Sequence, residues 1–261
     1  MLKTRWLGQH YTFFKEIGST NTELKTAATR AELPEGTVYL TNFQSAGKGR
    51  HQRSWVAPPS TSLLFSVLFR PDWPAVQSSW LMMIGCLAAS EAIAELVGLD
   101  VRVKWPNDLV ILQNGAWHKF TGILVEGDVH NDGQLKTAVY GMGMNVNLEA
   151  ADLPEAITPP TSLKIASGQL VNRTELFCLI LEKMELLYEQ TKQGASPVAD
   201  WRKLLVTLGQ PVTVTRLGNQ ARLQGTAVNV DEVGHLIVLD NQGQHHTVQA
   251  GDVTLRSNFD N

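Results

Sequence analysis

Two glycines, Lys48, Arg50, His51 and Arg53 crowd into residues 44–55, QSAGKGRHQRSW, a loop that leaves an apolar strand. Glycine lets backbone N–H groups approach an anion closely, and the cations supply charge for phosphate or carboxylate. The spacing is not that of a GxxxxGK[ST] phosphate loop, and Gln52 stands where GxGxxG needs its third glycine. Alone, such a loop reads equally as solvated basic surface. Residues 104–109, KWPNDL, put a cation, an amide and a carboxylate (Lys104, Asn107, Asp108) within five positions. That trio suits a metal-bound polyphosphate, or a Pro-Asn-Asp turn with one ion pair. Lys119 opens the apolar run 119–126, KFTGILVE, where Gly122 marks a close approach by ligand or backbone; a strand lysine is otherwise a surface residue. Residues 141–147, GMGMNVN, set glycines and two amides in a strand that also reads as core. Residues 18–21, GSTN, open a helix, whose free N–H groups serve a polar ligand or an ordinary cap.

Several elements must hold these runs. The spacing predicts a helix from Ser19 to Glu32, strands at 37–43 and 62–69, and a long helix from Ala75 to Val97. Strand-like stretches follow at 101–112, 117–129 and 134–147, with Asn114-Gly115 and Asp132-Gly133 between them as hairpin turns, so the middle of the chain is a meander. A polar, proline-containing loop (Pro154, Pro159, Pro160) separates this sheet from helices at 173–192 and 197–206. Beyond Leu208 the pattern changes to short alternating strands at 211–217, 220–230, 234–239, 244–248 and 252–256, which suits a small β-barrel.

Bulk properties exclude several classes. A 261-residue chain with 43% hydrophobic and 18% charged residues buries a real core. Its net charge of −3 gives no global attraction to nucleic acid. Two cysteines in helical apolar runs, Cys86 and Cys178, indicate a reducing compartment without a disulfide framework, and the seven histidines show no zinc-ligand spacing. The N-terminus lacks a signal-peptide pattern, and the apolar run from Trp80 to Ala89 is short of a bilayer span, so a cytoplasmic protein is expected.

In their order and spacing, GSTN, QSAGKGR with Trp55, KWPNDL, KFTGILVE and GMGMNVN resemble the motif series of biotin protein ligases. The resemblance covers about residues 10–150 and continues more weakly to the terminal VTLRS. It implies an α+β fold: a class II aminoacyl-tRNA-synthetase-like catalytic domain over 1–207, with a mixed, largely antiparallel sheet, and a small SH3-like β-barrel over 208–261. It implies an enzyme that adenylates biotin with ATP and Mg²⁺, then passes biotin to a lysine of a biotin carboxyl carrier protein, that of acetyl-CoA carboxylase or a similar carboxylase. A lipoate or octanoate ligase of the same fold is the alternative, disfavoured by the KWPND and GILVE runs.

By that resemblance Ser19, Thr20, Asn21, Gln44, Gly47, Lys48, Lys119 and Gly122 bind biotin, with Leu124 walling the ring. Lys48, Gly49, Arg50, Trp55, Asn107, Lys119, Asn145 and Arg256 bind ATP or the adenylate, and Asp108 serves Mg²⁺. Lys119, Arg50 and Lys104 are the catalytic cations, and Asp252 and Arg256 reach in from the last strand. Lys48 stands where the family commonly has arginine, and His51-Gln52 where it has Arg-Gly. Lysine is a point charge without arginine's planar fork, which bears on how tightly the loop closes and on any dimer contact it makes; a homodimer is left open. GSTN begins at Gly18, with no room before it for the helix-turn-helix of some members, so a monofunctional ligase with neither DNA nor membrane partner is expected.

Overall fold

Residues 1–50, 53–215, 222–249 and 251–255 are described by the computed structural model. Seven strands form the larger sheet: β1 (Tyr11–Phe14), β2 (Val38–Thr41), β3 (Ser62–Phe69), β4 (Val101–Lys104), β5 (Asp108–Gln113), β6 (Ala116–Val129) and β7 (Leu135–Asn145). Their order is β1-β2-β3-β7-β6-β5-β4, with β1 and β2 parallel and every other pair antiparallel. The expected meander is present from β4 to β7. Asn114 and Gly115 both take positive φ, as a two-residue hairpin turn requires. The stretch 101–112 is two strands rather than one. Pro106 brings no N–H to a ladder, and the chain turns over 105–107 before re-pairing as β5. The edge strand β1 was not anticipated.

All eight residues of β3 are buried because both faces of the sheet are covered. Leu63, Phe65, Val67 and Phe69 face α2 (Ser79–Val97) and α4 (Arg173–Lys192) in the main core. On the other face Leu68 meets α1 (Thr20–Arg30) through Leu24, with Val139. The region Ala75–Val97 is long and apolar enough to cross a membrane, a length the run from Trp80 to Ala89 understates, yet 67% of its most apolar window is buried in the protein. A short α3 (Leu163–Ser167), also unanticipated, and α5 (Val198–Leu204) complete the helices.

The C-terminal strands β8 (Pro211–Thr215), β9 (Arg222–Val230), β10 (Leu236–Asp240), β11 (His245–Val248) and β12 (Asp252–Leu255) form an antiparallel sheet ordered β11-β10-β9-β8-β12. The expected closed barrel is not found: among the described residues no ladder joins β11 to β12. Both are four residues long, and β12 pairs along its whole length with β8. This sheet docks through its 231–235 turn. Three consecutive carbonyls there, of Glu232, Val233 and Gly234, accept from Trp80 Nε1 (3.1 Å), Ser79 Oγ (2.7 Å) and Trp105 Nε1 (2.9 Å). Gly234 has φ of 84°, in the left-handed region where an L side chain is strained, so the turn favours glycine.

The N-terminal segment is held by carboxylates of α4: Glu182 takes the Lys3 N–H, Glu189 the Trp6 indole, and Glu185 the most donors. Glu185 of α4 accepts the backbone N–H groups of Arg5, Trp6 and Leu7 at 2.8–2.9 Å. Burial pushes its carboxyl up, but those three donors and the Arg5 charge outweigh it and hold the carboxyl below the usual glutamate range. Its stabilising contribution is therefore full above the unfolded value of about 4.3 and is lost as pH falls through the folded value. Glu185→Gln is expected to cost about 1–3 kcal/mol in urea unfolding near neutral pH. That gap should shrink by about pH 3; an equal gap at both pH values would show that the charge is not what the segment needs.

Candidate active site

A cavity of about 530 Å³ opens on the α1 side of the larger sheet. Its floor is nearly free of side chains, since Gly122 of β6 and Gly141 and Gly143 of β7 all line it. A Cβ at Gly143 would lie 2.7 Å from Trp55 Cε2, and one at Gly122 3.0 Å from Trp55 Cζ3, so the indole rests directly on the strand backbones. Trp55 Nε1 is buried there without a hydrogen-bond partner.

One end of the cavity is polar and uncharged. A parallel bridge between Ile17 and Gln44 brings Gln44 beside the start of α1. Gln44 Oε1 accepts the Thr20 N–H at 2.8 Å and lies 3.1 Å from Thr20 Oγ1. Ser66 Oγ lies 2.7 Å from Thr20 Oγ1 and 2.5 Å from Asn21 Oδ1, and Asn21 Nδ2 donates to Glu126 Oε2 at 3.1 Å. Ser19 occupies the N-cap of α1, but its side chain makes no capping hydrogen bond, and it lines the cavity. Asn21 crosses β7 only because residue 141 is glycine: a Cβ there would lie 2.0 Å from Asn21 Oδ1.

The other end is charged. Lys119 Nζ pairs with Asp108 Oδ1 at 2.7 Å, across the β5–β6 ladder. Arg50 Nη1 donates to Asn107 Oδ1 at 3.1 Å, and Asn107 Nδ2 donates to the Ile123 carbonyl at 2.6 Å. Lys104 Nζ donates to Thr158 Oγ1 at 2.6 Å. Asn145 Nδ2 donates to the Thr161 carbonyl at 3.2 Å, while its buried Oδ1 has no partner. Four steps along β7 separate Gly141 from Asn145, roughly 13 Å.

The structure brings together Ser19, Thr20, Asn21, Gln44, Lys48, Gly49, Arg50, Trp55, Lys104, Asn107, Asp108, Lys119, Gly122, Leu124 and Asn145 around this one cavity. Gly47 lines an adjoining cavity instead, because a Cβ there would lie 2.4 Å from the Trp55 carbonyl and the residue serves to let the loop fold back. The two arms of the loop pair, with Gly49 N donating to the Arg53 carbonyl and Trp55 N to that of Gly47. His51, Gln52 and Arg256 lie outside the described residues; Val253 and Thr254 of β12 line the cavity. The proline-containing loop expected to separate the sheet from the helices also forms a cavity wall, through Pro154, Ile157, Thr158 and Pro160. Its local signal in the sequence is Ile157, an apolar residue in a polar loop. Ser66 and Glu126 were also missed as network members; a serine inside the apolar run SLLFSVLF was the available hint.

Residues 13–145 match the family model of the biotin/lipoate A/B protein ligase family, and residues 207–256 that of the biotin protein ligase C-terminal domain. The chain is 31% identical to the bifunctional ligase/repressor BirA of Bacillus subtilis, over 93% of this chain and 73% of that protein. It is 32% identical to the biotin–[acetyl-CoA-carboxylase] ligase of Mycobacterium tuberculosis, over 91% of this chain and 86% of that one. Its fold superposes on the biotin protein ligase of Aquifex aeolicus in complex with biotin and ATP with a TM-score of 0.75, at 26% identity, covering 95% of this chain and 99% of that one.

The crossing of Asn21 over Gly141 is testable by stability alone. Gly141→Ala should displace Asn21 and cost about 1–3 kcal/mol in urea unfolding. In an Asn21→Ala background the added methyl meets vacated space, so a double-mutant cycle should return a coupling of at least about 0.5 kcal/mol. Strict additivity would mean that residue 141 does not govern the placement of Asn21.

Proposed function

The chain belongs to the biotin/lipoate A/B protein ligase family, and within it to the biotin protein ligases, and from that premise we infer which groups carry each step. It is an enzyme of the ligase class that joins biotin to AMP from ATP and passes the biotinyl group to a carrier lysine. The relatives and bound structures favour biotin over lipoate. The observation that carries the assignment of roles is the cavity's division into an uncharged hydrogen-bonding end and a cationic end on one glycine floor.

The uncharged end, Thr20, Asn21 and Gln44 with Ser19, suits a ureido ring, which offers two N–H donors and one carbonyl acceptor. Leu124 walls the ring. The tail would then run toward Lys119 over Gly143 and Gly122, with the Trp55 indole, which rests there without ligand, moving aside to the nucleotide. There the biotin carboxylate attacks the α-phosphorus of ATP, a P–O bond forms, and pyrophosphate leaves. Both reactants are anionic, so Lys119, Arg50 and Lys104 offset their repulsion and stabilise the charge that develops. Lys48 and Gly49 would add a charge and a backbone N–H to the phosphate, Asn145 the unpartnered Oδ1 to the nucleotide, and Trp55 an aromatic face to adenine. The carrier amine then attacks the acyl carbon, AMP departs, and the amine gives up a proton. The loop over the cavity excludes water from the mixed anhydride between these steps.

Mg²⁺ fits the donor set. Among the described residues no three His, Cys, Asp or Glu side chains cluster as a metal site, but a cation that takes most of its ligands from phosphates needs only one or two protein carboxylates. Asp108, with Asn107 beside it, would hold it, and it would supply further neutralisation of the phosphate charge. As the carrier we propose the lysine-bearing domain of acetyl-CoA carboxylase, the substrate named in the relatives' names. We place the catalytic part in residues 1–207 and the accessory sheet in 208–261. With a net charge of −3 the chain has no cationic surplus to release counterions, so DNA is not proposed as a partner.

Two measurements test this. Biotin with MgATP should raise the melting temperature well above the shift given by lipoate with MgATP; equal shifts would overturn the biotin assignment. Lys119→Gln should lower biotin-dependent pyrophosphate release about 10²- to 10³-fold, and a wild-type rate would remove Lys119 from the reaction.

A further inference from the structure

Glu126 belongs to the GILVE run but has no place in the steps above, and it does not line the main cavity. It is nevertheless the end of a hydrogen-bonded chain that runs through Asn21, Ser66 and Thr20 to Gln44. A carboxylate only accepts, so the Asn21 group facing Glu126 must be Nδ2, which turns Oδ1 toward Ser66. Three oxygen–oxygen contacts follow: Ser66 to Asn21 Oδ1 at 2.5 Å, Ser66 to Thr20 at 2.7 Å, and Thr20 to Gln44 Oε1 at 3.1 Å. Only two hydroxyl hydrogens are available to fill them. Ser66 gives its hydrogen to Asn21 and Thr20 gives its own to Ser66. The longest contact is left without one, and Gln44 Oε1 is already satisfied by the Thr20 N–H.

We propose that Glu126 is a positioning residue that sets the donor and acceptor order of the ureido end of the cavity through Asn21 and Ser66. With this order Asn21 keeps a spare N–H, and Thr20 Oγ1 keeps its lone pairs for an incoming N–H. If Asn21 flipped, its Nδ2 would donate to Ser66, Ser66 to Thr20, and Thr20 to Gln44. All three contacts would then hold a hydrogen. That reversed chain is the better satisfied one locally, and it is barred because Oδ1 would face the Glu126 carboxylate, lone pair against lone pair. Glu126 thus favours a ligand that sets an acceptor against Asn21 Nδ2 and a donor against Thr20 Oγ1. The inference rests on the biotin reading above.

The test compares wild type, Glu126→Gln and Ser66→Ala in full-length protein by pyrophosphate release, varying biotin, 2-iminobiotin and ATP separately. In 2-iminobiotin, a guanidine that is cationic at neutral pH, the ureido oxygen is replaced by an N–H-bearing group, so a donor stands where biotin has its acceptor. The Asn21→Ala background, which has no amide to flip, gives the effect of the lost Glu126 charge alone. Glutamine fills the same space as Glu126 but donates to a flipped Asn21. Both variants should raise the KM for biotin roughly tenfold, about the value of one hydrogen bond, with the KM for ATP unchanged. Glu126→Gln should also narrow the preference for biotin over 2-iminobiotin by a similar factor, whereas Ser66→Ala, in which Glu126 still holds Asn21 Nδ2, should keep that preference. A rise by the same factor for both ligands in Glu126→Gln, or a changed ATP KM, would make Glu126 merely structural and overturn the proposal. If Glu126→Gln does not fold, Glu126→Ala lifts the same bar to a flipped Asn21 and carries the same test. Wild type inert toward biotin would instead overturn the underlying reading.

Discussion

A sheet that receives a ligand against its backbone must give up side chains where the ligand lies, and the cavity depends on that sacrifice at Gly122, Gly141 and Gly143. Each does something different. Gly141 lets Asn21 reach across β7 to β6, and Gly122 and Gly143 let the Trp55 indole settle onto the floor. Glycine inside a strand weakens it by lost packing and greater entropy cost. The sheet tolerates them because β7, which carries two of the three, is anchored by fully buried residues such as Tyr140 and Met144.

The charges of the site are arranged in mutual restraint. Lys119 rests on Asp108, Arg50 on Asn107 and Lys104 on Thr158. Partly buried charges left alone would carry a large desolvation cost, so each has a neighbour in the absence of ligand. On the proposed reading Asp108 and Asn107 would also meet the nucleotide's cation, so binding would exchange one set of polar partners for another rather than strip water from bare ions.

The C-terminal sheet lines the cavity with Val253 and Thr254, and it also braces one corner of it through backbone. Its 231–235 turn is shaped by Asp231, which accepts the N–H groups of Val233 and His235, and it presents three carbonyls in a row to α2 and to Trp105. Trp105 immediately precedes Pro106, Asn107 and Asp108, so the turn that joins the two sheets also buttresses the polar corner of the cavity.

The elements were legible in the sequence wherever the information is local. The periodicity of Arg173–Lys192, the Asn114-Gly115 turn and the apolar run of β3 each depend on residues a few positions apart, and they stand as read. The order of the five motifs likewise carried the family, because it is a property of the chain. What only the tertiary structure decided are pairings between distant residues. Ser66 meets Asn21 over 45 positions, Asn21 meets Glu126 over 105, and Glu185 captures Leu7 over 178. A serine or a glutamate in a strand, or an isoleucine in a proline-rich loop, is ambiguous by itself. Its role depends on what the fold brings within hydrogen-bonding distance, and no local pattern encodes that partner.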